Sequence, residues 1–322
     1  MNAVLQGFRR IEKERYAAFA ALAILSILSA ILSPFFLQPQ NLLNIVRQVS
    51  YTGIIALGMT FVIVSGGIDL SVGSMAAFVG SLAVITLNAS VNAGLPEWVA
   101  VAAAVVCAVL VGVACGLANG VLVTKGRIAP FIVTLGTMAL FRSLSLYMGN
   151  AGEFRSESMV FGELGSSAPL GVPLPAFILI GLAGALSFVF TRTRYGRYVR
   201  AVGSNARVAR YSAIDVDTTR LLAYALVGLM VGVSAVLIAM RFNSVGSSTV
   251  GINYELDAIA AVIIGGTSMA GGRGTVWGTV VGAITLGVIN NMLNMVGISP
   301  YLQGTVKGLV IIGAVFIQRQ RQ

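Results

Sequence analysis

The feature that most constrains this chain is a series of apolar runs, each about as long as a membrane is thick. A helix needs about 20 apolar residues to cross the hydrocarbon core of a bilayer. In lipid, only helices and closed barrels satisfy every backbone polar group. We therefore predict an all-α, polytopic membrane protein with about ten transmembrane helices. The runs lie at residues 16–33, 44–64, 69–88, 97–123, 128–148, 173–191, 219–240, 257–271, 276–296 and 300–317.

Composition supports a chain embedded in lipid. Of the 322 residues, 57% are hydrophobic and 10% are charged, whereas a soluble domain carries about 25% charged residues. The sequence contains no histidine, and its two cysteines, Cys107 and Cys115, show no metal-ligand spacing. We expect no metal site and no cofactor, and we assign both cysteines a packing role.

The distribution of positive charge predicts the orientation of the runs. If the N-terminus is cytoplasmic, sixteen of the 21 basic residues fall in cytoplasmic segments, and Lys307 lies inside the last run. Because cytoplasmic loops are enriched in Lys and Arg, we predict that both termini are cytoplasmic. The remaining basic residues fall on the outer side or at outer span ends, and they are Arg47, Arg142, Arg155 and Arg241.

We predict a single transmembrane domain over residues 1–322, with two long loops. The outer loop, 149–172, is polar and closes at prolines. The inner loop, 192–218, is rich in arginine and amphipathic enough to hold a short helix along the membrane surface. From these residues alone, the inner loop fits either an ordinary basic loop or a docking site for a cytosolic partner.

Glycines mark the junctions and the faces of the runs. Gly66-Gly67 and Gly271-Gly272 interrupt two junctions, where we expect broken or partly re-entrant helices, covered by protein or water. Elsewhere glycines recur every four residues, which places them on one helix face and predicts close backbone packing. These sets are Gly112, Gly116 and Gly120; Gly228 and Gly232; Gly274, Gly278 and Gly282; and Gly304 and Gly308.

Several polar residues lie inside apolar runs, where they tend to mark pathways or interfaces. Asn290, Asn291 and Asn294 occur in "VINNMLNMVG", with the first and third on one face. Amides suit hydroxyl-rich ligands, which makes them candidate pathway residues. Hydrogen bonding between helices is the alternative. Lys307 is the one deeply placed cation of the sequence, and either snorkelling or a polar partner fits it.

The sequence lacks a phosphate-binding loop of the G-x-x-x-x-G-K-[ST] type. We therefore predict that the chain is not an enzyme and does not hydrolyse nucleotide itself. Its net charge of +10 is spread over the ends of the runs. That spread indicates membrane lipid, not nucleic acid, as the partner of the basic residues.

Three stretches resemble the permease subunit of bacterial ribose-type ABC sugar importers. They are "GMTFVIVSGGIDLSVGS" at 58–74, "GRYVRAVGSNARVARYSAIDV" at 196–216 and "YELDAIAAVIIGGTSMAGGRGTVWGT" at 254–279. Their order and spacing fit from about residue 20 to 317. The resemblance implies a location in the bacterial inner membrane and four partners: a separate ABC ATPase, a periplasmic sugar-binding protein, a second permease copy forming a homodimer, and a small sugar.

The resemblance favours ribose as the cargo. The same machine carrying another small sugar or the furanosyl signal autoinducer-2 is the alternative. From a different class, an ion-coupled secondary transporter is disfavoured by the lack of a ladder of acids and bases. Sodium bound at broken helices would still fit such a transporter.

In such importers the inner loop supplies a helix that couples to the ATPase, and by position this helix maps to "GSNARVARYSAI". Gly203 would begin the turn, and Ser204 or Asn205 would cap the helix. The remaining coupling residues would meet a groove on the ATPase, with the alanines as a small face and the arginines against acidic partners: Ala206, Arg207, Ala209, Arg210, Ala213 and Ile214.

Asp69 follows the second run, near the predicted cytoplasmic face. With Ser71 it can cap the third run, where a negative charge meets the positive end of the helix. Gly66 and Gly67 supply a tight turn. We predict that these four residues form an inner gate. Direct sugar contact by Asp69 and pairing with a base such as Arg273 are the alternatives. Asp257 is similarly expected to cap the eighth run from outside.

Overall fold

In the computed structural model, residues 19–20 and 22–319 are described. Residues 16–18 and 21 of the first predicted run lie outside this part of the chain, as do Arg321 and the four N-terminal basic residues, Arg9, Arg10, Lys13 and Arg15. The helices are α1 (Leu22–Leu32), α2 (Pro39–Val64), α3 (Val72–Asn92), α4 (Glu97–Thr124), α5 (Pro130–Met148), α6 (Met159–Ser166), α7 (Leu174–Arg192), α8 (Arg194–Ser204), α9 (Ala206–Tyr211), α10 (Val216–Phe242), α11 (Tyr254–Ile264), α12 (Val276–Met295) and α13 (Pro300–Arg319). Two short strands, β1 (Glu153–Arg155) and β2 (Ser244–Gly246), pair antiparallel.

The predicted all-α, polytopic membrane fold is confirmed. Seven of the described helices are long and apolar enough to cross a membrane: α2, α3, α4, α5, α7, α10 and α12. α5 lies at the rim and exposes large apolar side chains such as Phe131, Ile132 and Leu140, as expected for a surface in contact with lipid. α2, α3, α10 and α12 form the buried centre.

The connections between helices gather at two ends of the bundle. At one, which we call the sheet end, β1, β2 and α6 meet, and the Asn88 amide donates to the Arg155 carbonyl oxygen at 2.8 Å. At the other, which we call the turn end, residues 65–71, 193–215 and 265–275 meet. There the Gly272 N–H donates to the Val64 carbonyl oxygen at 2.8 Å. The loops predicted to share a side of the membrane therefore share an end.

α4 and α10 cross through their glycines. A Cβ on Gly116 would overlap the Tyr224 carbonyl oxygen, and a Cβ on Gly228 would overlap that of Gly112. α12 meets α11 in the same way, since a Cβ on Gly282 would overlap the Ala261 carbonyl oxygen. The prediction of close packing is confirmed for these sets. No such contact is found for Gly304 and Gly308, where an added Cβ would meet no atom within 4 Å among the described residues.

Two helices begin in the interior of the bundle. α11 runs about 16 Å from its start to the turn end, about half the thickness of a hydrocarbon core. The first turn of α3 lies beside the residues that precede α11, because a Cβ on Gly73 would overlap the Gly251 carbonyl oxygen. Residues 65–71 therefore enter the bundle from the turn end, and residues 243–253 enter it from the sheet end. The irregular backbone lies between helices and not within one.

We expect Gly116→Val to destabilise the fold by about 1–3 kcal/mol, the usual cost of overpacking a rigid contact. The added methyl groups meet α10 backbone, which cannot rotate away. Thermal unfolding of the detergent-solubilised protein would measure the loss. The matched control is Gly136→Val on α5, where a Cβ meets no atom within 4 Å. Equal unfolding temperatures for the two variants would contradict the packing role of Gly116.

Candidate functional site: an interior polar cavity and the junction at the turn end

A cavity of about 50 Å³ lies between α2, α11 and α12. Its Tyr51 and Asn290 each sit about 20 Å along their helices from the turn end. The cavity is therefore deep within a core about 30 Å thick. Its polar lining comes from three helices: Gln48, Tyr51 and Thr52 on α2, Tyr254 and Asp257 on α11, and Asn290 on α12.

The structure separates the three candidate pathway asparagines. Asn290 lines the cavity, and its Oδ1 has no hydrogen-bond partner among the described residues. Asn291 exchanges two hydrogen bonds with Asn41 of α2, at 2.7 and 3.1 Å. Asn294 Oδ1 accepts from Gln303 of α13 at 2.7 Å. Asn291 and Asn294 thus hold helices together, and Asn290 alone of the three faces the cavity.

Lys307 has an anionic partner. Its Nζ lies 2.9 Å from Asp257 Oδ1, and both side chains are largely buried. The pair joins α13 to the wall of the cavity and answers the question that the sequence left open. The expectation that Asp257 caps the eighth run is wrong. α11 begins at Tyr254, and the carboxylate of Asp257, one turn inside, points to the ammonium group.

Arg142 lies within α5, deeper than the sequence predicted. Its Nη1 donates to the carbonyl oxygens of Ser247 and Val250, both at 2.9 Å. These two bonds fix the segment that enters the bundle from the sheet end, just before it reaches Gly251. In the sequence, Arg142 is a lone arginine in an apolar run. Its role became clear only from the carbonyl oxygens that it contacts in the structure.

Asp69 is buried at the base of α3. Its Oδ1 accepts hydrogen bonds from the Ser71 backbone N–H at 2.8 Å and from the Ser71 hydroxyl at 2.6 Å. Asn119 of α4, which sequence reasoning missed, donates to Asp69 Oδ2 at 3.3 Å and to Ser71 Oγ at 2.9 Å.

The capping expectation for Asp69 and Ser71 needs correction. Ser71 occupies the N-cap position of α3, but its hydroxyl binds Asp69 and not the backbone of the first helical turn. Asp69 thus shapes the turn and does not cap the helix. Within the described part of the chain, no ion pair joins it to Arg273. Gly66 has a positive φ and makes the tight turn, whereas Gly67 does not.

Three backbone segments meet at the turn end, and Gly203 is at their centre. A Cβ on Gly203, in the last turn of α8, would overlap the Val64 carbonyl oxygen. A Cβ on Gly272 would overlap the Ser204 hydroxyl. The expectation that Gly203 begins a turn is wrong, since the glycine allows α8 to touch the end of α2. We call this contact of Val64, Gly203 and Gly272 the junction.

α9 follows the junction directly. Asn205, and not Ser204, caps it, because Asn205 Oδ1 accepts from the backbone N–H groups of Arg207 and Val208 at 3.0 and 3.1 Å. α9 is short, at six residues. Ala213 ends this segment with a positive φ.

The expected outward face of alanines is wrong for Ala206 and Ala209, whereas Ala213, which follows α9, is exposed. Ala209 is 3% exposed and packs on Val202 and Val216, with Ala206 and Ile214 against the same cluster. The outward face instead carries Arg207, Val208, Arg210 and Tyr211, and the Tyr211 side chain is 84% exposed.

Comparison with known proteins gives one family over most of the chain. A family model described as branched-chain amino acid transport system / permease component matches residues 41–315. The chain is 41% identical over 313 residues to the ribose import permease protein RbsC of Escherichia coli (strain K12), covering 96% of this chain and 94% of that protein. It is 40% identical over 310 residues to the protein of that name from Bacillus subtilis (strain 168), with coverage of 96% and 94%. The D-allose transport system permease protein AlsC of Escherichia coli (strain K12) is 37% identical over 307 residues, with coverage of 95% and 92%.

We expect Lys307→Met and Asp257→Asn each to destabilise the protein by about 3–5 kcal/mol, because each leaves one buried charge unpaired. The double variant should recover most of that loss. Thermal unfolding in detergent measures all three. Arg210→Gln, which breaks the exposed pair with Asp217, should change little. Additive losses in the double variant would show that the two groups do not compensate each other.

We expect Gly203→Val to open the junction and to expose the basic loop. The measurement is limited trypsin digestion, since Arg197, Arg200, Arg207 and Arg210 all lie in this loop. Cleavage there should be several-fold faster than in the unmodified protein. Ser212→Val, an exposed change in the same loop, is the control. Unchanged digestion of the Gly203 variant would rule out a structural role for the contact.

Proposed function

The chain belongs to the permease-component family of branched-chain amino acid transport systems, and we propose that it is the membrane subunit of an ATP-driven importer of a small sugar, with ribose as the first candidate. The observation that carries the proposal is near-full-length similarity to two ribose import permeases. The chain is a multi-pass membrane protein and a transport subunit of this family, not a catalytic chain.

For the topology we propose ten crossings, with the turn end and both termini in the cytoplasm. The seven long apolar helices supply seven crossings, and α1 and α13 supply one each. α11 and the segment entering from the sheet end together supply the tenth. Because this crossing is half helix and half irregular backbone, it requires cover by α3 and α5, which the contacts of Gly73 and Arg142 support. We treat residues 1–322 as one transmembrane domain.

We propose that the outward face of α9 docks on a separate ABC ATPase. The four side chains of that face, Arg207, Val208, Arg210 and Tyr211, suit an apolar groove with an acidic rim. A displacement of α9 would be transmitted through the junction to Val64 and residues 265–275, because the backbones there are in direct contact. In this proposal the turn at Gly66, Gly67, Asp69 and Ser71 responds as the inner gate.

A periplasmic sugar-binding protein would meet the sheet end, and a second copy of the chain would complete the pathway as a homodimer. We keep Asn290 as a proposed pathway residue, because it lines the interior cavity. Another small sugar is the alternative cargo, since the D-allose relative matches almost as fully. An ion-coupled secondary transporter stays the alternative of a different class.

The test is uptake of labelled ribose into vesicles that hold the chain and its ATPase, with the binding protein added. We expect the pair Arg207→Glu and Arg210→Glu to lower uptake at least about tenfold, because reversed charges repel an acidic surface. Co-purification of the ATPase should fall in parallel. The pair Arg194→Glu and Arg197→Glu, two exposed arginines of the same loop on α8, is the charge-matched control and should keep both.

The other outcomes separate the alternatives. ATPase binding that survives the double reversal would move the docking site away from α9. Uptake of a different sugar only would leave the importer standing and change its cargo. Uptake that needs an ion gradient and no ATP would replace the importer with the secondary transporter.

A further inference from the structure

Within the described part of the chain, two uncharged buried polar atoms of the cavity lining have no hydrogen-bond partner. The Tyr51 hydroxyl comes from α2 and the Asn290 Oδ1 from α12, and the residues are 6% and 9% exposed. Neither atom has a hydrogen-bond partner among the residues that the structure describes. Buried polar groups in native proteins nearly always have a partner. Two exceptions at one cavity therefore indicate that a ligand or water occupies it.

The charges around the cavity select a neutral ligand. Asp257 is the acid of the lining, and Lys307 already neutralises it at 2.9 Å. Because the carboxylate and the ammonium group form a close ion pair, the pair has no net charge with which to hold a cation or an anion in the cavity. The free atoms are an amide oxygen that accepts and a phenol hydroxyl that both donates and accepts. Together they match hydroxyl groups, each of which has one proton to give and lone pairs to share.

The size of the cavity limits how much of a ligand enters. At about 50 Å³ it holds a few waters, since each needs about 10–15 Å³ measured in this way. It is too small for a whole pentose, but it fits one edge of a sugar with one or two hydroxyl groups. The rest of the ligand would lie outside the cavity.

We propose that this cavity is a hydroxyl-recognition subsite of the permease itself. Asn290 Oδ1 accepts a hydrogen bond from one sugar hydroxyl, and the Tyr51 hydroxyl bonds to that group or to its neighbour, in place of resident waters. The Lys307–Asp257 pair holds α11 and α13 so that the lining keeps its shape. The subsite rests on the proposed function as a sugar permease and adds a selectivity step inside the membrane.

The experiment uses the complete reconstituted importer and compares ribose with riboses lacking one hydroxyl, at positions 2, 3 and 5. The variants are Tyr51→Phe, which removes one oxygen, and Asn290→Leu. Tyr147→Phe, at an exposed position of α5, is the matched control. Sugar moved per ATP is compared between variants with the same loaded binding protein, so the selectivity of that protein cancels.

For Tyr51→Phe we expect ribose transport per ATP to fall about fivefold to tenfold, the effect of losing one hydrogen bond to a substrate. Transport of one deoxyribose should be the same in the variant and the unmodified protein, because the partner hydroxyl is already missing. Asn290→Leu should show this pattern for the same or an adjacent hydroxyl. Tyr147→Phe should match the unmodified protein throughout.

Equal losses for ribose and every analogue would overturn the subsite, since they would indicate a general defect of the variants. Unchanged ribose transport in both variants would overturn it as well. In either case ATP-driven uptake by the unmodified complex would leave the proposed function intact. Absence of sugar uptake by the unmodified complex would remove both proposals together.

Discussion

Where α4 crosses α10, the carbonyl oxygens of each helix lie against glycine Cα atoms of the other. In lipid there is no hydrophobic gain from bringing two apolar helices together, so association depends on close packing and polar contacts. Glycine provides the first, because a Cβ at Gly116 or Gly228 would occupy the space that backbone oxygen now fills. The same contact recurs at Gly73 with Gly251, and at Gly203 with Val64. The positions of the side chains on these helices depend on these close glycine–carbonyl contacts.

The buried polar groups fall into distinct physical situations. Asn41 and Asn291 satisfy each other, so they fasten α2 to α12. Asp257 and Lys307 cancel their charges, so they fasten α13 to α11. At the cavity, the Tyr51 hydroxyl and Asn290 Oδ1 have no hydrogen-bond partner among the residues that the structure describes. Satisfied groups stabilise a bundle in lipid, whereas unsatisfied ones cost free energy, and a ligand can supply what they lack.

The turn end brings the proposed docking surface and the proposed gate within one continuous set of contacts. α9 follows α8, whose Gly203 touches the end of α2. α2 leads directly into the turn that holds Asp69, and the Tyr224 hydroxyl of α10 donates to the Ile68 carbonyl oxygen at 3.1 Å. Asn119 ties the same turn to α4. Because these segments are closely packed, a displacement of one requires a displacement of the next.

The sequence by itself determined the class of fold, most of the long helices, the packing faces of the glycines and the family. These features depend on hydropathy, periodicity and motif, which are local properties of the chain. The tight turn at Gly66 was also predictable from the sequence, because residues adjacent in the chain define such a turn. The depth at which α11 begins was not readable, because it depends on the segment that precedes the helix.

Only the tertiary structure decided which polar residues meet. Asn290 and Asn294 share a helical period, yet one faces a cavity and the other binds Gln303 of α13. The sequence placed Ala209 on an outward face, and packing against Val202 and Val216 turned it inward. Lys307 and Asp257 lie 50 residues apart. A hydrogen bond or ion pair needs two atoms in space, and a sequence pattern describes the surroundings of only one of them.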